Sequence, residues 1–136
     1  TIFEPEKRYL DTGSVPDAKT VAVNTATGYL DFTRFFQPKD WVCAYAFCRI
    51  QSPIKTPAHI RLGTNDTATL WFNRVMLESK NIERSATLDA DNIPVTLKEG
   101  ENTILVKVCN TEGQWGLYLR LTDELGVPLK NISYSF

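Results

Sequence analysis

The chain has 136 residues, of which 43% are hydrophobic and 23% charged, and a formal net charge of −1. That is the size and composition of one globular domain, able to bury a core of its own, and we read residues 1–136 as a single domain. The near-zero charge argues against a nucleic-acid binder or a membrane-surface binder, which a basic excess normally marks. No apolar run approaches the roughly 20 residues that span a bilayer. No signal-peptide pattern opens the sequence, so it is expected to be a mature protein or a domain of a longer chain.

Residues 1–20 are polar, with Pro5, Gly13 and Pro16, and read as a lead-in segment or an edge strand. Val21–Val23 is a candidate short strand, Asn24–Gly28 a loop and Tyr29–Phe32 a second extended piece. Phe35-Phe36 before Gln37-Pro38 reads as a packed turn or a single helical turn. Trp41–Gln51 is the most hydrophobic stretch, rich in aromatic and small residues with no helical face. It predicts a central strand, buried on both faces or on one face and a partner. Ser52-Pro53 stops it.

His59–Leu62 then alternates polar and apolar, and Gly63-Thr64-Asn65-Asp66 is a cluster of turn residues. Thr67–Phe72 alternates again, with Ala68, Leu70 and Phe72 on one face and Thr67, Thr69 and Trp71 on the other. Two alternating runs about a turn predict a β-hairpin. Asn73-Arg74 is a further turn, leading into Val75–Glu78. Ser79–Asn92 is polar and irregular, the longest predicted loop, and loops on rigid β scaffolds often carry binding function.

Ile93–Lys98 is a short strand and Glu99–Asn102 a turn. Thr103–Val108 places Ile104, Val106 and Val108 inward and Leu105 and Lys107 outward. Asn110–Gln114 is a polar turn. Trp115–Leu121 puts Trp115, Leu117, Leu119 and Leu121 on one side and Tyr118 and Arg120 on the other. Asp123–Gly126 is a turn and Val127–Phe136 a terminal strand. About eight to ten short strands, with no helix longer than a turn, predict an all-β protein, an antiparallel sandwich of jelly-roll or Greek-key type.

The cysteines are Cys43, Cys48 and Cys109. Cys43 and Cys48 face opposite sides of one strand and should not pair with each other. Either can meet Cys109 on a neighbouring strand; the alternative is three small buried hydrophobes. No Cys-x-x-Cys supports zinc or redox chemistry.

Catalytic signals are weak. The one histidine, His59, lies in an alternating strand, and no nucleophile elbow, His-Glu-x-x-His or phosphate loop is present. Asp89 and Asp91 sit together in the long loop, where solvated carboxylates are the plain reading. With backbone carbonyls they are also the hard oxygen donors that calcium takes, although the spacing matches no calcium-loop motif. Asn65-Asp66-Thr67 and Asn131-Ile132-Ser133 are glycosylation sequons, relevant only in a eukaryotic secretory context.

Four stretches together resemble the galactose-binding-domain-like jelly rolls. They are Gly63–Asp66, Leu70–Asn73, Leu97–Val108 and Trp115–Leu121, supported by Tyr29–Asp31, Ala44–Ala46 and Arg84. The resemblance spans about residues 21–123. One departure is Arg74, where that family usually has Gly after the turn Asn, so another turn type or an exposed contact residue is expected there. Such domains occur as accessory modules of secreted bacterial proteins, including carbohydrate-binding modules and the non-catalytic sandwich domains of larger enzymes. The resemblance therefore implies a non-catalytic module, a carbohydrate partner, a secreted or cell-surface bacterial setting and, in many relatives, a structural calcium.

Sugar binding needs aromatic planes for the C–H face of the ring and polar groups for its hydroxyls. Trp71, Tyr118 and Arg120 are predicted to face outward. If their strands share a sheet they form an aromatic and cationic patch, with Asn65, Asn73, Arg74 and Arg84 at its edge. Trp115 and Trp41, each at a strand start, are further candidates for the rim. An outward Trp can equally be covered by a loop or by the N-terminal segment. The alternative function is a structural module that packs against a neighbouring catalytic domain and binds no sugar, which an exposed apolar patch would favour.

Overall fold

The computed structural model describes residues 7, 9–11, 29–31, 42–64, 67–80, 91–110 and 116–135. Nine strands run through them: β1 (Tyr29–Asp31), β2 (Val42–Ser52), β3 (Thr56–Thr64), β4 (Thr67–Phe72), β5 (Val75–Lys80), β6 (Asp91–Leu97), β7 (Gly100–Asn110), β8 (Gly116–Thr122) and β9 (Ser133–Ser135). They form two antiparallel sheets, a four-stranded one in the order β1-β8-β3-β6 and a five-stranded one in the order β5-β4-β7-β2-β9. The all-β sandwich is as expected. In the lead-in segment the described residues, Lys7 and Tyr9–Asp11, are helical and not an edge strand. The Val21–Val23 strand and the 81–90 part of the long loop lie outside the described residues.

The predicted hairpin at Gly63–Asp66 is not one. β3 pairs with β6 and β8, whereas β4 pairs with β5 and β7 in the other sheet. The chain crosses the sandwich between β3 and β4. It crosses again between β6 and β7, where Gly100 adopts a φ of 96° that glycine takes without penalty. Among the described strands only β4 and β5 are both consecutive and paired. Their turn is Asn73-Arg74, with φ of 47° and 70°. Two residues with positive φ make a type I′ turn, whose twist matches that of the flanking strands. Arg74 therefore holds a left-handed conformation that glycine takes without penalty and an L side chain rarely adopts.

The core lies between the sheets. Alternate residues of β3 (Ala58, Ile60, Leu62), β4 (Leu70, Phe72), β7 (Ile104, Val106, Val108) and β8 (Leu117, Leu121) pack there with Ala44, Ile50 and Leu97. Each fully buried aliphatic side chain contributes about 1.5–3 kcal/mol. The inward residues of β4 and β7 are those the alternation indicated, and they sit opposite one another: Ala68 beside Val108, Leu70 beside Val106, Phe72 beside Ile104. β2 is covered on both sides, as expected of its composition. Ala46 and Cys48 pack toward the core, and Tyr45 and Phe47 pack on the outer face.

The thiols are resolved by register. Cys43 lies directly opposite Cys109 and forms a disulfide with it, while Cys48 lies opposite Ile104 and stays free. The reading of all three as small buried hydrophobes is thus corrected. Burial pushes the Cys48 thiol up to about 11. An unfolded thiol ionises near pH ~8.5. The folded state therefore keeps its proton where the unfolded state loses it. This contribution to stability is complete below that unfolded value and falls away as pH rises toward 11. We expect a thiol reagent at about pH 8 to label Cys48 slowly in native protein and rapidly in denaturant. Equal rates would contradict the burial.

Candidate functional site

The outer face of the five-stranded sheet is apolar in one cross-strand row: Trp71 of β4, Leu105 of β7 and Phe47 of β2. Next to it runs Thr69, Lys107 and Tyr45. Two cations lie over the aromatic rings, Arg49 4.9 Å from the Phe47 centroid and Lys107 5.9 Å from that of Tyr45. Arg49 also lies 3.7 Å from Glu101, a half-exposed pair of small energetic weight. Trp71 faces outward, away from Leu70 and Phe72, as its position in the alternation requires. Yet it is only 5% exposed, because Tyr9 and Leu10 of the N-terminal helical turn lie over this row. Its ring is thus covered in this conformation.

Tyr9 is itself fully buried. Its ring meets Phe47 edge-on, with centroids 5.9 Å apart. Its hydroxyl accepts a hydrogen bond from the Arg74 backbone N–H (2.8 Å) and shares another with Thr103 Oγ1 (2.9 Å). Arg74 holds the same segment from its side chain: Nε and Nη2 donate to the Leu10 carbonyl (3.0 and 2.6 Å), and Nη2 donates to the Asp11 carbonyl (2.8 Å). Asn73 is engaged as well. Its Oδ1 accepts from Thr103 N–H (2.8 Å) and its Nδ2 donates to Asn102 Oδ1 (2.9 Å). The buried Asn102 closes the β6–β7 crossing by accepting from Lys98 N–H and donating to the Lys98 carbonyl, both at 3.0 Å. Asn73 and Arg74, expected at the rim of a sugar patch, here hold a turn and a strap.

Tyr118 and Arg120 lie on the other side of the molecule. β8 belongs to the four-stranded sheet and turns Leu117 and Leu121 into the core. Tyr118 and Arg120 consequently face away from the sandwich, opposite the side that carries Trp71. The premise that these residues share a sheet does not hold, and the single aromatic and cationic patch separates into two. On the Tyr118 side, Arg120, Arg61 and Asn92 form one cross-strand row, and Thr122, His59 and Pro94 the next. Arg61 donates from Nε to Thr122 Oγ1 (3.0 Å) and from Nη2 to the Glu124 carbonyl (3.3 Å); His59 Nδ1 lies 2.9 Å from Asn92 Oδ1. Tyr118 stands opposite Gly63 on one side and Tyr29 on the other.

Asn65, Arg84, Trp115 and Trp41 lie outside the described residues. The strand ends that their segments join are described, and they coincide. Leu62 of β3 pairs with Asp91, the first residue of β6, and Thr64 with Leu117 near the start of β8. Ala68 near the start of β4 pairs with Lys80, the last residue of β5. Val42, the first residue of β2, pairs with Asn110, the last of β7. All these ends lie at one end of the sandwich, and the Cys43–Cys109 disulfide ties β2 to β7 there. Of the two loop carboxylates, Asp89 lies outside the described residues and Asp91 is buried at the start of β6. Among the described residues no group of three or more His, Cys, Asp or Glu could hold a metal.

Sequence reasoning passed over Tyr9, Tyr45, Phe47, Arg61 and Asn92. The signal for Tyr45 and Phe47 was present, since they alternate with Ala44, Ala46 and Cys48 along β2. Tyr9 had none, because nothing in a polar lead-in segment marks the surface on which it docks.

No family profile matches this sequence, and no curated protein matches it. Among solved structures, a family 35 carbohydrate-binding module from an environmental isolate is similar over 84% of this chain and 82% of its own length. The TM-score is 0.50 and the sequence identity 18%. That likeness, with the strand order above, shows the fold: the chain is an antiparallel jelly-roll β-sandwich similar to the one that this carbohydrate-binding module adopts.

Proposed function

We propose that this chain is a non-catalytic carbohydrate-binding module. The observation that carries the reading is the match in fold to a carbohydrate-binding module along most of both chains. The Cys43–Cys109 disulfide supports an oxidising, extracytoplasmic setting, as in a secreted or cell-surface protein. A net charge of −1 fits a neutral glycan partner better than a nucleic acid, and no helix of the described residues is long and apolar enough to cross a membrane.

The primary site in this reading is the end of the sandwich where the segments holding Asn65, Arg84 and Trp115 join the strands, together with the adjoining outer face at Tyr118 and Arg120. Tyr118 lies two residues into β8 from that end. It would offer a stacking plane, while Arg120 and the loop side chains would bond hydroxyls.

A panel of plant, algal and host polysaccharides tests the reading, with and without calcium. The expected result is retention of the wild-type chain on at least one glycan, weakened about tenfold or more in Tyr118→Ala. Binding that survives Tyr118→Ala would move the site off the sheet face. Absence of binding to every glycan would remove this primary site and favour a module that packs against a neighbouring domain. One observation favours that second reading: the edge strand β5 exposes Val75, Met76 and Leu77 in succession, at 59%, 58% and 40%.

A further inference from the structure

The outer faces of antiparallel sheets are ordinarily solvated and polar. That of the five-stranded sheet is aromatic at its centre, and the described residues that cover it are Tyr9 and Leu10. The cover is held by an unusual device. Arg74 keeps a left-handed φ of 70°, which an L side chain rarely adopts and glycine adopts freely. In that position its guanidinium clamps the Leu10 and Asp11 carbonyls, and its backbone N–H reaches the Tyr9 hydroxyl. A strained non-glycine residue points to a role that glycine could not fill, and the only groups its guanidinium is seen to hold among the described residues belong to the strap.

Tyr9 also shows what the surface beneath accepts. A six-membered ring lies against Phe47, Trp71 and Leu105, while its hydroxyl is bonded by Thr103 and the Arg74 N–H. An apolar ring face against aromatics, with hydroxyls directed to polar groups at the edge, is also what a pyranose requires. Arg49, Lys107 and Tyr45 extend the polar and aromatic rim.

We propose that residues 9–11 are a built-in lid over a second carbohydrate platform made of Trp71, Phe47 and Tyr45, and that Tyr9 occupies the place of a sugar ring. The inference rests on the carbohydrate reading above but concerns the opposite face of the molecule. A glycan that binds the uncovered face shifts the population toward the open lid, and the closed fraction lowers its apparent affinity.

The test uses the full chain with Arg74→Gly and Tyr9→Phe together. Glycine keeps the type I′ turn, so the hairpin stays while the clamp and the hydroxyl bonds are lost. Two readouts are needed: acrylamide quenching of tryptophan fluorescence, with Trp71→Leu as the reference that isolates Trp71, and retention on xylan, β-glucan, galactan and pectin. The expected result is greater quenching of Trp71 together with retention about tenfold stronger than wild type, both lost when Trp71→Leu is added. Unchanged quenching, or quenching that rises without a gain in retention, overturns the lid and its platform. A gain that survives Trp71→Leu overturns them too. Wild-type binding that Tyr118→Ala abolishes, with no gain on opening, removes this inference and leaves the primary site standing. A gain on opening without wild-type binding removes the primary site and leaves this one.

Discussion

Replacing Trp71 by alanine is expected to lower folding stability by about 3–5 kcal/mol, the range for truncating a buried Phe or Trp. The ring is 5% exposed and packed with Leu105, Tyr9 and their neighbours, so the variant opens a cavity beneath the strap and removes the strap's largest contact. Against a usual total of about 5–15 kcal/mol, such a loss would bring the domain close to unfolding near 37 °C. Urea denaturation of the wild type, Trp71→Ala and Trp71→Leu would show it, with the leucine variant intermediate because it keeps part of the volume. Tyr9→Ala completes a double-mutant cycle. Since the two residues belong to one cluster, we expect the paired loss to fall short of the sum by about 1 kcal/mol. A midpoint for Trp71→Ala equal to that of the wild type would mean that the strap does not cover the ring in solution. The prediction bears on function too, because loss of glycan binding in Trp71→Ala would report unfolding as readily as a missing sugar contact.

The properties legible in the sequence are those set by the pleat. Period-two alternation in Thr67–Phe72 and Thr103–Val108 assigned Leu70, Phe72, Ile104, Val106 and Val108 to the core and Trp71, Leu105 and Lys107 to the outer face, and the structure agrees. Alternation says that a strand is buried on one side but not which strand lies beside it. The turn residues Gly63–Asp66 therefore suggested a hairpin where the chain in fact changes sheets. That error also merged Trp71 with Tyr118 and Arg120, which the crossing sends to opposite faces. The cysteines show the same limit. Spacing excluded Cys43 with Cys48, and only the β2–β7 register chose Cys43 for Cys109. Arg74 was visible as a departure from a glycine, but its partners Tyr9, Leu10 and Asp11 are distant in sequence and carry no local mark. Asn73 resembled a rim ligand because an amide on a turn is a common sugar contact, and its engagement with Asn102 and Thr103 needed the fold to be seen.

The second large effect is expected from the disulfide. Cys43 and Cys109 are separated by 66 residues, and a cross-link over a loop of that length removes enough unfolded-state entropy to stabilise by about 4 kcal/mol in the chain-entropy account. The double variant Cys43→Ala/Cys109→Ala should therefore melt roughly 10–20 °C below the wild type. Reduction of the wild-type chain should reproduce most of that shift. Leaving Cys48 in place keeps the comparison clean, because its partly buried thiol then sits in the same core in both proteins. The location of the bond adds a further consequence. It joins β2 and β7 one residue from their paired ends Val42 and Asn110, at the end of the sandwich where the segments carrying Asn65, Arg84 and Trp115 attach. Without it those strand ends should fray first, so amide exchange near Val42 and Asn110 should accelerate more than exchange at Ile50 and Asn102, the opposite end of the same pair. A reduced protein that keeps its melting temperature would show that the β2–β7 ladder suffices and would remove the disulfide's support for an oxidising compartment. A reduced protein that melts early and also loses glycan retention below its melting point would tie the end of the sandwich that the disulfide braces to binding.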